Sequence, residues 1–319
     1  MMSDHAPQPP RIAHDAPFPF VGIGEILVDL LSEQITDALG SGDSFQAFIG
    51  GQVTNIALNL AQLGVRTALL GAVGRDPVGA FCRNELQRRG VNVSYIRTSN
   101  DFPTSLVIVG RSRQTPWFTS YIGAYPRLST ANVPMDVVRA ARVVHTSARA
   151  LGHAPLRDTV MNVLQAAAAE GGMITLDPNY HTTVWDSTDP HEVLAQAFRY
   201  VTLTKPSLDD CRRLFGLHHT PEEYIEQFHT WGARWVVLTR GGEGALVSDG
   251  STITELPLPP VDVVDVTGAG DAFWSGMHLA LLQDQPLLTA ARAGINLAAQ
   301  KVQHAGPLQP NDVANVALW

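Results

Sequence analysis

Runs of β-branched and other apolar residues alternate along the chain with stretches whose apolar positions recur every three or four residues, the pattern of strands feeding helices. Phe20 to Asp29 reads as the opening strand, with a carboxylate arriving at its far end. Gly50-Gly51 then precedes Ile56, Ala57, Leu60 and Leu63 at helical spacing, and Gly64 is placed to cap that helix. A strand to Val73 and a helix to Arg89, capped by Gly90, follow. There the alternation lapses. Val91 to Ile96, Ser105 to Val109 and Trp117 to Tyr121 are short strand-like runs without helices between them, which predicts an antiparallel sheet set apart from the main one. It resumes with Val143-Val144-His145, a helix over 155–170, the strand 173–177, a helix near 192–198 and the strand 200–204. Helices over 207–214 and 221–229, the strand Trp235 to Thr239 and a last helix over 287–302 complete the chain. The fold class is α/β: a doubly wound, mostly parallel sheet flanked by helices, with a small separate β-sheet.

The best-marked junction is Asp265-Val266-Thr267-Gly268-Ala269-Gly270-Asp271. Val261, Val263 and Val264 predict a buried strand running out before it, and Phe273, Gly276, Met277, Ala280 and Leu281 one apolar helix face after it. The glycines then sit at a helix amino terminus, where unpartnered N–H groups and the positive dipole end welcome an anion. Asp271 puts a carboxylate beside that anion site. A carboxylate repels a phosphate, so its presence points to chemistry on a proton.

In open α/β sheets, ligands bind outside the carboxyl ends of the strands, where Asp29, His145, Asp177, Asn179, Thr204, Thr239 and Asp265 all fall. His145 at such a position is more often a satisfied strand-end histidine than a ligand. With 22 basic and 30 acidic residues, a net charge of −8 and no basic run, the chain is not patterned for nucleic acid or an anionic membrane, so small molecules are the expected partners. Cys82 and Cys211 share no metal-ligand spacing and read as reduced thiols. Neither a signal peptide nor a membrane span is visible, so a cytoplasmic protein is expected, with a disordered tail over 1–17 and one domain over 18–319.

The Walker pattern is absent, and Gly22-Ile23-Gly24 lacks the third glycine of a dinucleotide fingerprint. Asp265 to Asp271 does match the D-(T/V)-x-G-A-G-D signature of the ribokinase-like (PfkB) carbohydrate kinases, and Gly50-Gly51-x-x-x-Asn55 resembles that family's other signature. Gly22 to Asp29, Gly74-Arg75-Asp76-x-x-Gly79 and Thr239-Arg240-Gly241-x-x-Gly244 resemble minor family motifs in the same order, over roughly 20–307. The resemblance implies an enzyme that moves the γ-phosphoryl of ATP to a sugar or nucleoside hydroxyl. Asp271 is then the base, with the amides of Gly268, Ala269 and Gly270 holding the transferring group, and an ordinary Asp pKa suffices for a loose transition state. Asp29, Gly51 and Asn55 are implied on the sugar side, where a carboxylate and an amide suit vicinal hydroxyls. Without the family, a turn cap for Asp29 and a helix-start residue for Asn55 are the plainer readings.

On the nucleotide side the matching positions are Asn179, Ser207, Thr239, Gly241, Gly244 and, on the last helix, Asn296. Ser207 and Asp210 stand where much of the family has P-N-x-x-E, which links Asp210 indirectly to Mg²⁺. Asp265 and Thr267 correspond to the monovalent-cation (K⁺) site of some relatives, with strand-end capping as the plainer reading. Segments 29–50 and 92–127 would form the lid that relatives close over the sugar, and some relatives pair lids into homodimers. Asp177-Pro178-Asn179-Tyr180-His181, followed by Trp185, resembles the fructokinase-like branch, but His181 replaces its usual arginine. A fructose-like ketose is favoured, with 2-keto-3-deoxygluconate, ribose and nucleosides as alternatives. A non-catalytic sugar- or nucleotide-binding regulator is the alternative of another class, and the intact Gly268 to Asp271 set speaks against it.

Overall fold

The computed structural model describes residues 16–35, 38–111, 117–304 and 308. In chain order its strands are β1 (Phe20–Ile23), β2 (Leu27–Ile35), β3 (Phe45–Gly50), β4 (Thr67–Gly74), β5 (Ile96–Ser99), β6 (Ser105–Arg111) and β7 (Trp117–Tyr121). They continue with β8 (Val143–Ser147), β9 (Met173–Asp177), β10 (Leu203–Thr204), β11 (Trp235–Thr239), β12 (Ala245–Ser248) and β13 (Ile253–Leu256). The helices are α1 (Gln52–Gln62), α2 (Pro77–Arg88), α3 (Met135–Ala140), α4 (Leu156–Ala169), α5 (Pro190–Phe198), α6 (Leu208–Phe215), α7 (Pro221–Trp231), α8 (Ala269–Leu282) and α9 (Leu287–Lys301).

The main sheet runs β13-β12-β11-β10-β9-β8-β1-β4-β5. Every pairing from β11 to β5 is parallel, and β12 and β13 add an antiparallel edge. Alternation along β1 sends Val21 and Ile23 to one face and Phe20 to the other. The first face packs on Val160 and Leu164 of α4, Leu194 of α5 and Phe228 of α7. The second packs on Ile56 and Leu60 of α1, Trp274 and Met277 of α8 and Ile295 of α9. Each such fully buried side chain contributes about 1.5–3 kcal/mol relative to exposure. Because α1 and α4 cover opposite faces, the winding reverses between β1 and β8, and a crevice opens there at the carboxyl ends.

Four expectations need correction. The apolar run from Phe20 is two strands, not one: β1 ends at Ile23, and β2 leaves to pair with β3 and β6 in a second sheet of order β3-β2-β6-β7. Asp29 therefore sits within that second sheet, opposite Phe48 and Val107. That sheet is mixed, since β2 and β6 run parallel while β2–β3 and β6–β7 are antiparallel. The run ending at Ile96 belongs elsewhere, with β5 pairing parallel to β4 on the edge of the main sheet. Finally, Val261, Val263 and Val264 form no strand; Val263 and Val264 are 60% and 64% exposed, and the amides of Val264 and Asp265 instead reach the Val302 carbonyl. The expected tail lies almost wholly outside the described residues.

Candidate active site

Gly268 caps the start of α8, and its φ of 77° is left-handed, which costs glycine nothing sterically. Phe273, Gly276, Met277, Ala280 and Leu281 are all buried, as their spacing requires. The Ala269 amide donates to the Val266 carbonyl at 3.1 Å, closing the turn. A Cβ on Gly270 would stand 3.7 Å from Lys205 Nζ, so an ammonium adds its charge to the positive helix end. Asp271 occupies the first turn, and Asn55 Nδ2 donates to its Oδ2 at 2.8 Å. Burial pushes the Asp271 carboxyl up to about 7; the Asn55 bond and Lys205 pull it down, and the Asp177 and Glu25 charges push it further up. The residue as a whole is part-buried. An ordinary Asp pKa would suffice for the proposed chemistry; burial places this one near neutrality.

Behind Asp271 lies a buried polar network across the β1–β8 crevice. Glu25, 1% exposed, accepts from the Gln52 amide at 2.9 Å and from Ser147 Oγ at 2.8 Å. Gly51, at φ 101°, admits no side chain, since a Cβ would stand 2.5 Å from the Glu25 carbonyl. Gln52 Nε2 also donates to Asp177, which accepts from Trp274 Nε1 at 2.6 Å and the Asn179 amide at 3.0 Å and lies 3.4 Å from Lys205 Nζ. Burial raises the Asp177 pKa, opposed by Lys205. The network ties the start of α1, the ends of β8 and β9 and the first turns of α8 into one body.

In the second sheet, Asp29 is part-buried, with its carboxyl raised to about 6 by burial against the pull of Arg149. Arg149 follows β8 in the short turn Ala148–Leu151 and is part-buried. His181 meets Phe118 of β7 edge-to-face at 5.4 Å, so the segment after β9 touches the second sheet.

The nucleotide-side candidates spread along the ends of β9 to β11. Asn179 holds a positive φ of 26° and its amide caps Asp177. Thr239 joins Ser207 in an isolated parallel bridge, Gly241 and Gly244 bracket the turn after β11, and Asn296 is part-buried on α9. Ser207 and Asp210 form a capping box for α6. The Asp210 carboxylate accepts from the Ser207 amide and hydroxyl, the Tyr180 amide and Arg213, which fills its lone pairs. It acts as a structural hub, and among the described residues no cluster of His, Cys, Asp or Glu is arranged to hold a metal. Asp265 Oδ1 caps the Thr267 amide at 2.9 Å, and Lys301 Nζ lies 3.9 Å from Asp265 Oδ2 and 3.2 Å from its carbonyl oxygen. An ammonium already stands where the K⁺ expectation places an ion, so these residues do not fit that site. His145 is wholly buried against Trp274, His278 and Phe20, with Nδ1 on Thr175, and is a core histidine.

The model of the pfkB family of carbohydrate kinases matches residues 18–314. The chain belongs to this family. It is 32% identical to the ATP-dependent 6-phosphofructokinase of Thermoanaerobacterium thermosaccharolyticum over 92% of this chain and 91% of that one. Its fold superposes on the fructokinase of Halothermothrix orenii with a TM-score of 0.79 at 30% identity, covering 91% of this chain and all of that one. A sugar kinase from Pyrococcus horikoshii in complex with ATP gives 0.81 at 25% identity, covering 94% and 98%. As a pfkB carbohydrate kinase, the chain is a phosphotransferase with a hydroxyl acceptor, and the fold expected from that resemblance is the one observed.

Within this pfkB kinase, the Asn55–Asp271 bond joins the first turn of α1, which follows Gly51, to the first turn of α8, beside Gly268 to Gly270, while Asp29 lies in the second sheet. Sequence reading missed Glu25, Gln52, Lys205 and Arg149. Lys205, two residues before Ser207 in a segment already singled out, carried a signal: a lysine following an apolar strand needs a buried partner. Glu25 and Gln52 carried none, because their partners lie far off in sequence.

Proposed function

We propose that the protein transfers the γ-phosphoryl group of ATP to a primary hydroxyl of a small carbohydrate, with a fructose-like ketose as the favoured acceptor. Asp271 takes the hydroxyl proton, and the amides at the start of α8, with Lys205 above them, stabilise the charge on the transferring phosphoryl. The carrying observation is the 2.8 Å bond between Asn55 and Asp271, which joins an acceptor-side candidate to the expected base at a helix amino terminus. The raised Asp271 pKa suits a base working near neutral pH. The ATP complex of the related sugar kinase supports the donor.

Asp29 and Asn55 hold acceptor hydroxyls, and the second sheet acts as a lid that excludes water. Exposed Ile35, Leu39, Phe118, Tyr121 and Ile122 on and beside that sheet suit pairing of two copies through it. Asn179, Thr239, Gly241, Gly244 and Asn296 lie on the nucleotide side. Magnesium bound with the nucleotide would supply charge neutralisation to the phosphates, and Asp210, its lone pairs filled by Ser207, Tyr180 and Arg213, would reach it only indirectly. Among the described residues no helix is long and apolar enough to cross a membrane, which suits a cytoplasmic enzyme. A screen of ADP release with Mg-ATP and free ketoses, aldoses, keto-deoxy acids and nucleosides tests this reading. Acceptor-dependent ADP formation, highest with a ketose, is expected; saturable binding without turnover would favour the regulator instead.

A further inference from the structure

Lys301 ends α9 and is 1% exposed, a degree of burial lysine rarely reaches unless its charge is matched. Its ammonium donates to the carbonyl oxygens of Asp265 at 3.2 Å and His304 at 3.4 Å and lies 3.9 Å from the Asp265 carboxylate. Backbone carbonyls and one carboxylate, all hard oxygen donors, are the surroundings a small monovalent cation would choose. The side chain also reaches the catalytic turn, since Lys301 Cε lies 3.7 Å from the point where a Cβ on Gly268 would stand. Asp265 in turn fixes Thr267 through its carboxylate, and the amides of Val264 and Asp265 are held by the Val302 carbonyl, next to Lys301. The end of α9 and the segment that leads into α8 therefore converge on this one charge.

We propose that Lys301 is a tethered cation that replaces a bound monovalent ion and makes phosphoryl transfer independent of added K⁺. It is a positioning residue: it holds Asp265 to Gly268 so that the first amides of α8 stay aimed at the transferring group. A free cation would have to enter beside a covalently held charge of the same sign and compete for the same oxygens, which is unfavourable at such range. This inference rests on the kinase reading above.

The test compares wild type with Lys301→Ala, at constant ionic strength, in tetramethylammonium chloride and with KCl or ammonium chloride substituted stepwise. Wild type should show the same kcat and the same melting temperature throughout. Lys301→Ala should lose kcat by about 10²-fold, the scale on which one misplaced oxyanion donor acts, and regain part of it saturably with K⁺ or ammonium, with a parallel rise in melting temperature. Wild-type turnover that climbs with K⁺ overturns the inference while leaving the kinase reading intact, and this arm needs no variant to fold. A folded Lys301→Ala that keeps full rate, or loses rate that no monovalent cation restores, also overturns it. Wild type that transfers phosphate to no acceptor overturns the kinase reading, and this inference falls with it.

Discussion

Asn55 Nδ2 donates to Asp271 Oδ2 at 2.8 Å, across 216 positions of sequence. The bond holds the proposed base in place and favours its ionised form, acting against the burial that raises its pKa. Replacing Asn55 should therefore do more than weaken acceptor binding. Asn55→Ala is expected to move the acidic limb of the kcat/KM profile to higher pH, beside a raised acceptor KM. A raised KM with an unmoved limb would reduce Asn55 to a plain substrate contact.

The wild-type pH profile has a defined sign. Asp271 must be ionised to accept a proton and titrates at about 7, so kcat/KM should fall about tenfold per pH unit below that value and level off above it. Its ionisation opposes folding, because the pKa is raised above the ordinary 3.8: the stability it contributes is complete below about 4 and is lost as pH rises through about 7. Activity and this part of stability should thus run in opposite directions between those values. A profile flat from pH 5 to 8 would contradict the assignment.

Asp29, the acceptor ligand proposed above, lies on the second sheet with its carboxyl raised to about 6 by burial. Asp29→Ala should raise the acceptor KM by about tenfold or more, the loss of hydrogen bonds to a charged group, while the ATP KM changes little. Steady-state kinetics varying each substrate in turn measures this. An unchanged acceptor KM would move the sugar site elsewhere.

The buried histidines predict acid lability. Burial holds His278 at about 3 and His145 well below its ordinary 6.5, so both stay neutral in the native protein. Between about 3 and 6.5 the unfolded chain binds more protons, and stability falls as pH drops through that window. The raised carboxyls Asp271 and Asp29 act in the opposite direction over this window, so the test is the difference: as pH drops from 8 to 4, the denaturant midpoint of His278→Leu should rise relative to that of wild type. Equal slopes in variant and wild type would rule His278 out as a source.

What could be read from sequence was what local chemistry encodes. The Gly268 to Asp271 turn announces itself through glycines, a carboxylate and a helical apolar face within one short stretch, and its helix is where the spacing puts it. Partner choice is not encoded in that way. From Phe20 to Val28 the chain is apolar apart from the glycines and Glu25, while its hydrogen-bond partners change from β4 and β8 to β3 and β6, so Asp29 looked like the end of a main-sheet strand. Val263 and Val264 have strand composition but lie exposed, because the chain there crosses to the end of α9 instead of pairing. The network of Glu25, Gln52, Asp177 and Lys205 joins segments far apart in sequence, and only the fold shows that they meet.

The most direct measurement is transfer of labelled γ-phosphate from ATP to a ketose by wild type and by Asp271→Asn, with nucleotide affinity measured on both. Loss of the base should lower kcat by about 10²–10⁴-fold and leave nucleotide affinity in place. Wild-type transfer retained by a folded Asp271→Asn would contradict the role given to Asp271, and with it the chemistry assigned to this site.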